Sequence, residues 1–222
     1  ARLATEYWVN QHTGADFNFR LANLLNQGDE GACTTDINPV LSLNMRQFAS
    51  KHEVTSFSLY YAAYKLLLWQ MSGQHDFLIG HPVQNRIHGD LQSTMGYFAN
   101  TVALRVPVDP KASFTALVNQ VHQQNLASLE YQCAPLDQVI KALNPERIAD
   151  SSPLFQSFFV YQQGTEQLTL DGLTTKAVRR LPQKAKFPVT LMVGDEVDNP
   201  YLVLEYAAQQ FDQPQATRFL AR

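Results

Sequence analysis

The sequence predicts an α/β or α+β fold, a mixed sheet flanked by helices, on three observations. Helix-type and strand-type stretches follow one another in mixed order along the 222 residues. The strand-type stretches are short and are separated by Gly or Asp-Asn-Pro turns. A composition that is 45% hydrophobic and 11% aromatic is ample for one large or two small cores. Layers of helix on sheet are the stable way to bury such a pattern.

Charge and patterning exclude several function classes. With 17 basic and 20 acidic residues, a net charge of -3 and no Lys/Arg-rich run, the chain has no footprint for nucleic acid. The longest apolar stretch, Leu59 to Met71, contains Lys65 and Gln70 and is too short for a membrane span. Ala1 to Asn10 mixes Arg2, Glu6 and aromatics, unlike a secretory signal. Cys33 and Cys133 have neither metal-ligand spacing nor the density of a disulfide scaffold, so thiols and a cytoplasmic location are expected.

In order, Ala1 to Trp8 reads as the tail of a helix, and a chain starting within an element reads as a fragment. His12 to Gly31, polar and punctuated by Asn and Gly, reads as a long surface connection. Asn38 caps a helix that has Pro39 at its first position, with Leu41, Met45 and Phe48 on one face expected to be core. Thr55 caps a second helix, apolar nearly all round through Tyr60, Ala63, Leu67 and Trp69, which Gly73 stops. Asp76 to Val83 follows as a strand. Pro107 and Pro110 bracket a turn, and Ser113 caps an amphipathic helix through Phe114, Leu117, Val118, Val121 and Leu129. Pro135 starts a short helix with Leu136, Val139 and Ile140. Strands are expected at Phe155 to Gln162, Leu168 to Leu170, Thr174 to Leu181, Val189 to Val193 and Tyr201 to Tyr206. A final helix, capped at Asp212 and carrying Phe219 and Leu220, shows no stop signal.

Function concentrates in residues 79 to 105. Pro82 cannot donate to a sheet ladder, so a strand should end near it. The second half passes from Gly96 through Tyr97 and Phe98 to the polar pair Asn100 and Thr101, then resumes apolar alternation at Val102 and Leu104. Polar side chains inside a strand suggest a lined cavity more than a plain core. Period-two alternation puts Tyr97 and Phe98 on opposite faces, so one at most can line it.

These segments resemble the C-terminal half of a condensation domain of non-ribosomal peptide synthetases. Tyr7-Trp8 resembles the YW that follows the family's catalytic lobe. Ile79-Gly80-His81-Pro82-Val83 with Arg86 resembles IGxPVxxR, and Gly96 through Thr101 to Arg105 is similar to GFFVNTxxxR. Tyr131 to Asp137 resembles HQxxPFE, with Tyr131 for His and Asp137 for Glu. Pro153-Leu154-Phe155-Gln156 is similar to PLFQ, and Lys186 to Leu191 resembles KFDLTL with Pro188 for Asp. Each motif is weak, but their order and spacing agree nearly end to end.

The resemblance implies one lobe of the two-lobed CoA-dependent acyltransferase-like fold related to chloramphenicol acetyltransferase. It implies aminolysis of a carrier-bound acyl thioester by a carrier-bound amine, which requires orientation, proton removal and oxyanion stabilisation. No cofactor is expected on this chain, phosphopantetheine being supplied in trans by carrier domains. The implied partners are the N-terminal condensation lobe, peptidyl or acyl carrier domains and neighbouring synthetase domains, with no nucleic acid or membrane. Asn100, Thr101, Phe98 and Gly96 are the expected channel residues, and Gly80, Pro82, Arg86 and Arg105 the structural ones. The implied organisation is an inter-lobe helix end and linker over 1–35, channel-bearing helices and strands over 36–162, a crossover or floor loop over 163–187, and final strands with a truncated helix over 188–222. The crossover over Gly164 to Lys186 is expected to be mobile, or paired with another molecule, without its partner lobe.

The family's HHxxxDG motif lies upstream of YW, and no His-His pair occurs in these residues. Gln11-His12-Thr13-Gly14-Ala15-Asp16-Phe17 keeps one His and the Asp at the right separation, a match short enough to arise by chance. No catalytic residue is therefore assigned, and the isolated chain is expected to be inactive. Three other functions compete: a stand-alone acyltransferase using His12 and Asp16, a non-catalytic carrier-docking module, and part of an epimerisation domain. The last is disfavoured by the F-x-N-T at Phe98 to Thr101. His81, and His88 with Asp90, are read as polar loop and strand-end residues, and no histidine pair has zinc-site spacing.

Overall fold

The computed structural model describes residues 2–21, 29–146, 152–164, 170–173, 175, 181, 184–196, 199–208 and 210–222. In chain order the elements are α1 (Arg2–His12), β1 (Gly31–Asp36), α2 (Pro39–Lys51), α3 (Ser56–Ser72), β2 (Leu78–Val83), α4 (Gly89–Gln92), β3 (Asn100–Arg105), α5 (Phe114–Glu130), α6 (Leu136–Leu143), β4 (Ser157–Gln163), β5 (Val189–Asp195), β6 (Tyr201–Tyr206) and α7 (Gln213–Leu220). Helices and strands are interspersed, and strand pairing is both antiparallel and parallel, as the mixed α/β expectation requires. Two compact units emerge: Ala1–Asn23 with Phe48–Phe159, and Leu24–Gln47 with Val160–Arg222.

In the first unit β2 pairs antiparallel with β3 along its whole length and parallel with β4 through Ile79 and Gly80. Pro82 lies beyond the parallel pairing and faces Thr101 near the end of the antiparallel one. The Thr55 side chain caps α3 by accepting from the Ser58 N–H, and Gly73 ends it in the left-handed conformation at φ 72°. Tyr61 donates its hydroxyl to the Ile79 carbonyl at 3.2 Å, and Tyr64 shares a 2.8 Å bond with Ser157. These bonds lay α3 over the sheet face that carries Ile79, His81 and Ser157. Lys65 is wholly buried there, its Nζ donating to the Phe77 carbonyl at 2.5 Å and sitting 3.2 Å from that ring's centre. Burial holds the amine well below its ordinary pKa, against the pull of Asp76.

In the second unit β6 is central, pairing antiparallel with β1 and β5. Gly194 leaves room for the Tyr201 ring, since a Cβ there would lie 2.2 Å from it. Asp195 accepts from Arg46 Nη2 at 2.8 Å and from the Tyr161 hydroxyl at 2.6 Å. Asp212 and Gln215 form a reciprocal capping box that starts α7, which buries Ala216 and Phe219.

Several expectations are corrected. The predicted core face of α2 is not core: Leu41 is 53% exposed, and the buried positions are Ser42 and Ala49. His12 closes α1 instead of opening a loop, and residues 15–21 are pinned by Phe19, which is buried and stacks on Phe77 at 4.4 Å. Gly31–Asp36 is a strand, and His88 leads into the short α4. Helix α7 closes at Leu220, with the Ala221 N–H bonded to the Thr217 carbonyl. The strand expected at Leu168 to Leu170 and most of that at Thr174 to Leu181 lie outside the described residues, as does much of Gly164 to Lys186; Leu170 forms an isolated bridge with Leu173.

Candidate functional site

Three of the singled-out segments meet at Gln132. The Gln132 side chain accepts from the Asn85 N–H at 2.9 Å and donates to the Leu129 carbonyl at 2.8 Å. The Gln132 carbonyl accepts from Asn100 Nδ2 at 2.8 Å, and the Ala134 carbonyl takes the other amide hydrogen at 2.7 Å. Asn100 therefore staples the start of β3 to the turn between α5 and α6, using both its donors. The β2 exit, the β3 entry and that turn form one hydrogen-bonded junction, although Asn100 and Gln132 are 32 residues apart.

Cross-strand register decides which side chains share a face. Asn100 pairs with Val83 and Val102 with His81, on the face covered by α3. Thr101 pairs with Pro82 and Ala103 with Gly80, on the opposite face, where Phe158 sits beside Gly80. Asn100 and Thr101 thus point to opposite sides of the sheet. On the Thr101 face a Cβ on Gly80 would lie 2.4 Å from the Phe155 ring, so only glycine leaves that ring its place. Pro82 is exposed and Thr101 and Phe158 are half-buried, forming a partly exposed strip next to Gly80 and Ala103, which are buried.

The aromatic pair does not alternate across the strand as expected, because β3 starts only at Asn100. Tyr97 is 92% exposed, while Phe98 is half-buried against the Arg86 guanidinium at 4.6 Å. Gly96 lies close to Phe98, and a Cβ there would lie 3.0 Å from the ring. Arg86 Nη1 donates to the Leu91 and Thr94 carbonyls and Nη2 to that of Gly96, shaping the exposed loop between β2 and β3. Arg105 grips both Asp76 oxygens through Nε and Nη2, and gives Nη1 to the Gln11 and Thr13 carbonyls at the end of α1. A cation there also complements the helix dipole.

Two histidines, His12 and His81, are buried. His12 is 1% exposed; Nε2 meets the Ala103 carbonyl at 2.9 Å, and buried Nδ1 has no partner. Burial, with Arg105 nearby, pushes its pKa down to about 4 despite the bond to Ala103. His81 is likewise buried beside Phe57, with Nδ1 against the Pro82 carbonyl and Nε2 unpartnered, and burial lowers it to about 4. Asp16 gives its oxygens to Asn18 N and Gln74 Nε2, so it shares no bond with His12. Among the described residues no group of three or more His, Cys, Asp or Glu could hold a metal.

A family model described as Condensation domain matches residues 3–222. The chain belongs to the condensation-domain family. It is 32% identical over 217 residues to malpinin synthetase of Mortierella alpina, covering 94% of this chain and 3% of that protein. Among solved structures it is similar to the condensation domain of the monacolin K polyketide synthase, with TM-score 0.84 and 22% identity over 99% of this chain and 55% of that one. It is also similar to a holo four-domain nonribosomal peptide synthetase bound to AMP and glycine, with TM-score 0.80 and 22% identity over 97% of this chain and 18% of the other. The chain thus spans a small part of its curated relative's length. The expected mixed α/β fold is the fold observed, and it matches that of condensation-domain structures.

Of the residues singled out beforehand, the structure brings Asn100 and Gln132 together, and Gly96, Phe98 and Arg86 together. It sets Thr101 with Pro82 and Gly80, and Arg105 apart on Asp76. Sequence reading missed Asn85, and it gave Gln132 as part of a motif without its role as the meeting point. Asn85 carries one available signal, a polar residue that tolerates left-handed backbone, which it adopts at φ 54°.

Proposed function

We propose that this condensation-domain chain is the C-terminal lobe of an amide-forming site, joining a carrier-bound acyl thioester to a carrier-bound amine. It supplies one wall of the substrate channel. The observation that carries this reading is the hydrogen-bonded junction that Asn100 makes at Gln132 on one face of β3, with the partly exposed strip of Pro82, Thr101 and Phe158 on the other. Thr101, on the open face, contacts substrate or the pantetheine arm. Asn100 fixes the wall and has only Oδ1 left to offer a ligand. Phe98 and Gly96 shape the rim, while Gly80, Pro82, Arg86 and Arg105 hold the strand ends. The proton acceptor comes from polypeptide other than these residues, which contain no His-His pair. The phosphopantetheine arms come from carrier domains, and this chain alone forms no amide. The separate partners of His12 and Asp16 count against a self-contained acyltransferase built on them.

The test places Thr101→Phe in the intact synthetase and follows loss of both thioesters and appearance of amide. Amide formation should fall at least tenfold with thermal stability unchanged. An unchanged rate would leave the strip without a role in the channel. Docking of carriers without any wall function predicts that same unchanged rate, with carrier affinity altered by other surface substitutions.

A further inference from the structure

Two arginines of this chain use their guanidinium groups in nearly the same way, and the difference between them is informative. Arg105 donates Nη1 to two backbone carbonyls, those of Gln11 and Thr13, and Nη2 also to that of Gly14. Its side fork, Nε with Nη2, holds the two oxygens of Asp76 at 3.0 and 2.6 Å. Arg86 likewise donates Nη1 to two carbonyls, of Leu91 and Thr94, and Nη2 to a third, of Gly96, at 3.4 Å. Its Nε meets no acceptor and its charge no carboxylate among the described residues.

The Arg86 guanidinium has several contacts. Three carbonyls and the Phe98 ring fix its plane, with the guanidinium carbon 4.6 Å from the ring centre, and the side chain is half-buried. Contacts of this kind orient a guanidinium, which lowers the entropy cost of adding a ligand. The planar fork of arginine matches two oxygens of one carboxylate or phosphate.

We propose that the Arg86 side fork is a receptor for an external oxyanion with two coplanar acceptors, a carboxylate or a phosphate. It completes at Arg86 the arrangement that Asp76 completes at Arg105. The carbonyls of Leu91, Thr94 and Gly96 orient the cation, and Nε–H with the second Nη2–H point the bidentate pair at the ligand. This inference stands independently of the channel assignment.

The test is nitrogen-15 NMR of the arginine Nε–H groups in the 222-residue chain at constant ionic strength, with Arg86→Lys used to identify the Arg86 signal. Sodium acetate and inorganic phosphate are titrated separately, with chloride as the control. A saturable shift of the Arg86 signal with acetate or phosphate, absent with chloride and much smaller at Arg105, is expected. Saturation by acetate alone assigns a carboxylate source, and by phosphate alone a phosphate source. A linear drift shared by all three salts, or equal shifts at every exposed arginine, would overturn the proposal, because screening alone produces both. Arg86→Lys is further expected to keep the far-ultraviolet spectrum while competition between acetate and phosphate disappears from neighbouring amide signals.

Discussion

Lowering the pH should unfold this chain through two imidazoles before most carboxylates titrate. His12 and His81 each move from an ordinary pKa of 6.5 to about 4, chiefly because burial penalises the cation. A depressed histidine pKa means the unfolded chain takes up the proton first. Stability is therefore full above pH 6.5, falls as pH drops from 6.5 towards 4, and loses nothing more from these groups below 4. At 1.36 kcal/mol per unit, each shift is worth about 3 kcal/mol at its limit and about 2 kcal/mol at pH 5. Together they should remove about 4 kcal/mol between pH 7 and pH 5, a large share of an ordinary domain's stability. The structural cause is specific: a proton added at Nδ1 of His12 or Nε2 of His81 meets no acceptor in its buried surroundings. Urea denaturation at pH 7 and pH 5 measures the loss. His12→Gln keeps a donor near the Ala103 carbonyl and His81→Asn one near that of Pro82, and neither titrates. The double variant should show a much flatter pH profile. If wild type and double variant lose equal stability between pH 7 and pH 5, the burial argument is wrong.

Other substitutions probe the junction and its supports. Gly80→Ala should cost about 1–3 kcal/mol by forcing a methyl into the Phe155 ring, and Phe155→Leu should recover part of that in a double-mutant cycle by thermal unfolding. Asn100→Ala leaves the Gln132 and Ala134 carbonyls without donors and should cost about 1–3 kcal/mol; Asn100→Asp should be worse, since a carboxylate would face two carbonyls. Chemical denaturation orders the two, and equal stability of Asn100→Asp and wild type would contradict the donor assignment. Arg105→Gln should lower stability by about 1–2 kcal/mol, discounted for partial exposure, and hydrogen exchange should rise first at the end of α1.

Local chemistry made much of this fold legible beforehand. Thr55, Ser113 and Asp212 announce their helices because a short oxygen side chain before an apolar run has one favoured use, satisfying free N–H groups. Gly31–Asp36 escaped because GACTTD shows no strong apolar alternation and is held as a strand by its register with β6. Helix α2 misled because its apolar spacing is helical, whereas burial depends on neighbours that spacing does not contain. The segments of the candidate site were visible as motifs, but their junction was not. Nothing local in Asn100 says that its partners are the carbonyls of Gln132 and Ala134. The opposition of Asn100 and Thr101 was available from strand periodicity alone, once the strand was known to begin at Asn100.

Lys65 has a chemical consequence for a protein proposed to handle thioesters. A primary amine is a nucleophile towards an activated acyl group once deprotonated, and burial favours the deprotonated form of Lys65. The Phe77 ring and carbonyl close over the nitrogen, and the side chain is wholly buried. The same burial that favours the neutral amine denies reagents approach to it. Attachment of an acyl group to Lys65 then becomes a record of unfolding, since only chains that have opened around Phe77 can carry the mark.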